Sequence, residues 1–267
     1  MDRTKIDWCY SSWNPITGCR HSCEYCYARG IATRFGKDYP DASAFASEHP
    51  NMHILDTPID GTPYPFKFDP TYHYYRLNDY MKKTGRSIFV CSMSDLFGEW
   101  VPEDWITDIF DACKRASQHV YIFLTKNPKR YIELLKGGKL PVLDNMWYGT
   151  SLTNSSGVKN AFKVMADIKE INPDVNTFFS IEPLLDDVTE SPDWNNISNG
   201  NIVDFVIVGA ESGNRKDKVV PKREWLEKIV SSCGDVVTLF MKGSLSDIWG
   251  DDLITNLPYE LRSNLKP

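Results

Sequence analysis

Residues 146–181 read MWYGTSLTNSSGVKNAFKVMADIKEINPDVNTFFSI. An apolar run rich in aromatic and β-branched residues at 146–151, an amphipathic stretch at 156–171 and a second apolar run at 177–181 make a strand, helix, strand unit. That unit is the repeat of a parallel sheet. The same alternation extends in both directions. Further strands are predicted at 88–92, 120–124, 204–209 and 236–241, with one more before residue 19, which makes about seven. Helical patterning covers 103–117, 127–136 and 221–233, the last with Pro221 at the first helical position. The expected fold is α/β, a partial or complete (β/α) barrel whose crossovers are right-handed. A chain of 267 residues, 42% hydrophobic and 13% aromatic, can bury the core of one such domain over 1–267.

The stretch 37–75 breaks the alternation with Pro40, Pro50, Pro58, Pro63, Pro65 and Pro70 and with a run of aromatics ending in Tyr72-His73-Tyr74-Tyr75. It reads as an insertion, either a lid over the barrel or a proline-rich surface loop with packed tyrosines. No internal repeat or low-complexity tract is present.

Thirty basic residues against 36 acidic give a net charge of −6, which argues against a nucleic-acid coat or a membrane-surface protein. No apolar run approaches the roughly 18 residues of a membrane span, and the start Met-Asp-Arg-Thr-Lys leads into no signal-peptide core, so a cytoplasmic protein is expected. Seven cysteines, three of them within eight residues, suit metal ligation in a reducing compartment better than a disulfide framework.

Those three stand in Gly18-Cys19-Arg20-His21-Ser22-Cys23-Glu24-Tyr25-Cys26-Tyr27, on a loop before a helix predicted at 27–35. Thiolates spaced this closely suit an iron–sulfur cluster or zinc, with His21 as a fourth ligand in the zinc case. Three protein ligands to a 4Fe-4S cluster would leave one iron open to a cofactor or substrate. Cys9, Cys91, Cys113 and Cys233 are scattered and read as small buried hydrophobes, although Cys91 and Cys233 lie near element ends where a radical relay is conceivable.

The C-x3-C-x2-C spacing resembles the signature of radical S-adenosylmethionine enzymes. The resemblance implies that the open iron chelates S-adenosylmethionine and that Tyr25 lies against its adenine. Further segments are similar to one group, the phage-associated three-cysteine-motif proteins of unknown function. They are Thr4-Lys5-Ile6-Asp7-Trp8, Ser12-Trp13-Asn14-Pro15-Ile16-Thr17-Gly18-Cys19, Ser92-Met93-Ser94-Asp95-Leu96-Phe97, Leu124-Thr125-Lys126-Asn127-Pro128, Ser180-Ile181-Glu182-Pro183-Leu184-Leu185 and Val208-Gly209-Ala210-Glu211-Ser212-Gly213. The similarity runs from about residue 4 to 243 and implies a barrel of the radical S-adenosylmethionine type. Many members have a longer gap between the first two cysteines; here the spacing is the compact one.

Barrel chemistry gathers at the C-terminal ends of the strands, where each of the later motifs falls. Ser92, Ser94 and Asp95 take the place of the Gly-Gly-Glu segment that the resemblance would lead one to expect, and Asp95 could equally cap the helix near Pro102 or close a turn. Thr150 and Ser151 stand where the resemblance places a hydroxyl on the ribose or carboxylate of S-adenosylmethionine, with ordinary turn chemistry as the alternative. Glu182, an acid ending an apolar strand, needs a partner or a proton, and is read as binding cofactor or substrate rather than as a structural ion pair. Gly209 lets backbone approach a ligand, and Glu211 offers an acceptor.

Lys126, Lys129 and Arg130, with Arg215, Lys216 and Lys218, form two basic clusters on the same face, consistent with an anionic substrate such as a nucleotide or nucleic acid or with solvated loop tips. The leading expectation is a radical enzyme that takes its electron from a flavodoxin or ferredoxin. A Cys3His zinc module binding nucleic acid or a protein is the main alternative. A degenerate barrel keeping its cluster as a structural or redox element is a third.

Overall fold

The apolar runs that alternate with helical stretches form a seven-stranded parallel sheet, seen in a computed structural model that describes residues 3–37, 45–46, 48, 52–59, 61–199, 202–213 and 215–263. Its strands are β1 (Ser11–Trp13), β5 (Ser87–Val90), β6 (Val120–Thr125), β7 (Met146–Ser151), β8 (Asn176–Ile181), β9 (Phe205–Val208) and β10 (Thr238–Met241), neighbours in that order. A second sheet holds β2 (Ile16–Thr17), β4 (Thr71–His73) and β3 (His53–Leu55), in the order β2-β4-β3. The helices are α1 (Tyr27–Phe35), α2 (Glu103–Arg115), α3 (Lys129–Lys136), α4 (Ser155–Ile171), α5 (Arg223–Cys233), α6 (Ser246–Trp249) and α7 (Tyr259–Ser263). The parallel strands curve into a half-barrel flanked by helices, the coarse form of the architecture expected.

Both faces of the sheet are buried, and alternate residues serve different cores. Tyr121, Phe123, Tyr148, Phe179, Val206 and Val208 face outward and join Ile109 and Phe110 of α2, Tyr131 of α3, Met165 of α4 and Ile229 of α5. Their neighbours Val120, Ile122, Trp147, Phe178, Phe205, Ile207 and Phe240 face inward and pack with Trp8, Phe89, Leu257 and Leu261. Gly149 makes the inner packing possible, because a Cβ there would lie 2.2 Å from the Phe178 ring.

The half-barrel has edges at β1 and β10, and both termini cover the β10 side. Backbone N of Gly243 donates to Asp7 Oδ2 at 2.8 Å, so the N-terminal segment crosses the seam. Met241 N donates to Ile254 O at 2.6 Å, and Phe240 pairs antiparallel with Thr255 along the outer edge. Covering an edge in this way removes unpaired backbone groups that would otherwise recruit another strand.

Element boundaries shift for local reasons. The predicted strand 88–92 becomes Ser87–Val90, since Cys91 takes φ +60° and ends the extended run. The runs 204–209 and 236–241 shorten to Phe205–Val208 and Thr238–Met241. The stretch 103–117 ends at Arg115, and 127–136 begins at Lys129 because Pro128 is the N-cap. The helix predicted at 156–171 starts one residue earlier, capped by Asn154, whose Oδ1 accepts from Gly157 N at 3.1 Å. Pro221 precedes the N-cap Lys222 instead of taking the first helical position. The insertion 37–75 supplies β3 and β4, so its described part is a sheet, not a bare loop; residues 38–44, 47, 49–51 and 60 lie outside the described residues.

Candidate functional site

The cysteine loop is fixed at both ends by its own sequence. Gly18 takes φ +83°, and a Cβ on it would lie 2.2 Å from the carbonyl oxygen of Asp69, so only glycine fits. Gly18 N donates to Met93 O at 3.0 Å and Cys19 N to Phe68 O at 3.1 Å, which pins the loop between the segment after β5 and the insertion. At the far end Cys26 is the N-cap of α1, its Sγ accepting from Arg29 N at 3.4 Å, while Cys19 Sγ accepts from His21 N at the same distance. The three thiols are half-buried and line one cavity of about 470 Å³. Burial, with smaller contributions from Asp95 and the other two thiols, pushes the Cys19 thiol up to about 12. Among the described residues, no three His, Cys, Asp or Glu side chains are gathered around a single point that would hold one metal ion.

Asp95 is buried and accepts four hydrogen bonds: from His21 Nε2 at 2.9 Å, Thr125 Oγ1 at 2.7 Å, Lys126 N at 2.9 Å and Phe97 N at 3.1 Å. It therefore closes a turn and ties the cysteine loop to the end of β6. It does not cap α2, which begins at Glu103 without a side-chain cap. The His21 ring, edge-on to Trp100 at 4.9 Å, is directed to Asp95.

Across the cavity, Glu182 after β8 pairs with Lys242 after β10, and Lys242 also lies 3.9 Å from Asp7. Gly209 makes room for that pair: its Cβ would meet Lys242 Cδ at 2.9 Å and Glu182 Cδ at 3.3 Å. The open space expected beside Gly209 is thus filled by protein side chains. Glu211 is gripped by Arg215 through two hydrogen bonds of 2.7 and 2.8 Å, and the guanidinium holds its carboxyl below the usual range. Arg215 also reaches Glu24 of the cysteine loop at 3.7 Å, so it bridges two carboxylates and is not an open anion site.

Of the residues singled out from the sequence, Tyr25, Ser92, Ser94, Asp95, Ser151, Glu182 and Glu211 line the cavity with the three cysteines; Thr150 and Gly209 do not. Thr150 is 2% exposed, and its hydroxyl donates to Thr125 O at 3.1 Å across the sheet, because it is Ser151 that has inward parity. Among the basic residues, Lys126 lines the cavity with its ammonium 5.4 Å from the centre of the Tyr25 ring. Lys129, Lys216 and Lys218 are exposed away from the cavity, and Arg130 pairs with Glu133 at 3.1 Å. Cys91 and Cys233 are buried, do not line the cavity and have thiols pushed up to about 12 by burial, so neither is placed to relay a radical from it. The sequence reading overlooked Lys242 and Asp7. Lys242 carried the same signal as Glu182, a charge directly after an apolar strand.

No curated protein and no solved structure matches the chain. A family model described as a protein of unknown function, DUF5131, matches residues 3–250, a span that holds all seven parallel strands and every residue lining the cavity. The chain belongs to the DUF5131 family.

Proposed function

We propose that the protein is a radical S-adenosylmethionine enzyme of the barrel type, with Cys19, Cys23 and Cys26 as the ligands of a 4Fe-4S cluster. The observation that carries this reading is that all three thiols line one cavity together with the polar groups at the strand ends. A cavity of about 470 Å³ suits a small-molecule cofactor with part of a substrate. Backbone N–H groups already aimed at Cys19 and Cys26 sulfur suit an iron–sulfur cluster, whose potential depends on such bonds. A Cys3His zinc site would have to use Nδ1 of His21, since Nε2 bonds to Asp95, and among the described residues no three such side chains gather around one point.

A bound cluster would supply one electron for cleavage of the sulfonium carbon–sulfur bond of S-adenosylmethionine, giving methionine and a 5′-deoxyadenosyl radical. The protein's own part is to position and to exclude water. Tyr25 offers a ring face to the adenine, and Ser151 offers a hydroxyl to the polar groups of the cofactor, whereas the Ser92 hydroxyl donates to Asn14 Oδ1 at 3.1 Å and that of Ser94 is buried. Leu124, Phe68 and Phe89 give the apolar lining. The Glu182–Lys242 pair presents a donor and an acceptor to the substrate side. Lys126, which has no carboxylate partner among the described residues, would meet an anionic group, in keeping with a nucleotide or nucleic-acid substrate.

Anaerobic reconstitution with iron and sulfide, then dithionite and S-adenosylmethionine, tests the proposal by assay of 5′-deoxyadenosine in wild type and Cys23→Ala. Cysteine-dependent deoxyadenosine supports it. A colourless protein with about one zinc would return the zinc module, and a brown protein that cleaves no cofactor would mean a structural or redox cluster.

A further inference from the structure

Taking the cysteine half of the cavity as the cofactor's, which rests on the reading above, we infer that the opposite half binds a guanine-type base, a flat ring carrying N–H donors beside a carbonyl. On β8 the inward residues run Phe178, Ser180, Glu182, and the last two line the cavity. Ser180 is 1% exposed, yet its hydroxyl has no hydrogen-bond partner among the described residues. A buried hydroxyl left unpaired on a cavity wall is costly, and a ligand that bonds to it relieves the cost. Glu182 gives Oε1 to Lys242, and its Oε2 has no partner among the described residues. Asp7, across the seam, spends Oδ2 on Gly243 N at 2.8 Å and holds Oδ1 3.9 Å from Lys242.

Charge and shape in this half select the ligand. Two carboxylates, Asp7 and Glu182, stand around one ammonium, Lys242, so acceptors are in excess and a further carboxylate or phosphate would be repelled. A group seated here must bring more donors than acceptors. Trp8 and Phe89 line the same cavity with ring centres 4.8 Å apart, and this aromatic floor suits a flat ring better than an alkyl amine. Guanine meets both demands. Its N1–H and 2-amino group donate to a carboxylate while its O6 accepts from a neighbouring ammonium, and Glu182 and Lys242 offer that acceptor and donor side by side. Adenine has a bare acceptor at N1, which would face the carboxylate with no proton between them.

The test is calorimetric titration of guanosine, adenosine and 1-methylguanosine into the anaerobically reconstituted protein, with S-adenosylmethionine present to fill its own half. Wild type should bind guanosine at least about tenfold tighter than either of the other two nucleosides. Ser180→Ala should weaken guanosine by about threefold to tenfold. Glu182→Gln, whose amide sets a donor where the carboxylate accepts, should remove the preference for guanosine over adenosine. That ratio is a readout which a loss of stability alone would not move, and thermal unfolding of each variant checks its fold. Equal affinities, no guanosine binding by wild type, or a preference untouched in both variants would overturn the inference. So would butylamine binding more tightly than guanosine, since the site would then hold a bare cation. The titration needs no turnover, so the two readings fail separately: a guanosine preference without deoxyadenosine formation sinks the radical reading alone, and deoxyadenosine formation without a preference sinks this one alone.

Discussion

The lower and upper halves of the barrel interior are built from the same strands and differ in what the alternate positions carry. On β8 the inward residues run Phe178, Ser180, Glu182; on β7, Trp147, Gly149, Ser151; on β6, Ile122, Leu124, Lys126; on β10, Phe240, Lys242. Within four residues the lining of β8 passes from aromatic to hydroxyl to charge, and on the other three strands it passes from an apolar residue to a hydroxyl or a charge. The lower half is an apolar plug between the strands; the upper half is a cavity into which the polar and charged strand-end groups project beside apolar side chains such as Phe68 and Leu124. Stability and chemistry are thus separated along each strand, and substitutions should sort by height.

The sharpest test of that division is Cys23→Ala, which should abolish cluster colour and deoxyadenosine formation while leaving the apo-protein's thermal unfolding within a few degrees of wild type. A large loss of apo stability would break the comparison, because the upper wall would then be structural. In the lower layer Phe178→Ala should cost about 3–5 kcal/mol in urea denaturation, yet the folded fraction should still take up the cluster. Asp95→Asn should cost about 1–3 kcal/mol, since the amide nitrogen replaces one of the two oxygens and leaves either Thr125 and Phe97 or His21 and Lys126 without their acceptor. Because Asp95 joins cysteine loop to strand, the same variant should hold its cluster less tightly, which iron release to a chelator would measure.

Gly149→Ala should destabilise by about 1–3 kcal/mol through the clash with Phe178, and adding Phe178→Leu should recover part of it. The smallest effect concerns acid. Arg215 lowers the folded-state value of Glu211, so the pair contributes stability that is fully present above the unfolded carboxyl value of about 4.3 and is lost as pH falls towards the folded value. The gap in unfolding free energy between wild type and Arg215→Met should therefore be widest near neutrality and shrink below about pH 4.

Much of this arrangement was legible beforehand for a physical reason. Strands buried on both faces must be continuous apolar runs, so 146–151 and 177–181 stood out, and the motif after each run marked the strand end where the cavity opens. The inward parity of Ser151 over Thr150 was not legible, because two adjacent hydroxyls carry no sign of which one faces in until the register of β7 against β6 and β8 is set. Nor was the fate of the basic clusters. Arg215 and Glu211 are four residues apart and could have met or faced separate ligands; the fold brings them together.

The sequence by itself determined the alternation of strand and helix and the compact trio of cysteines, because periodicity and spacing are local properties. Only the tertiary structure decided that Asp7 and Lys242, 235 positions apart, meet across the seam, that His21 turns to Asp95, and that Gly209 shelters an ion pair. Those outcomes depend on which side chains the curvature of the sheet brings within hydrogen-bonding reach, and no local pattern encodes a contact between distant segments.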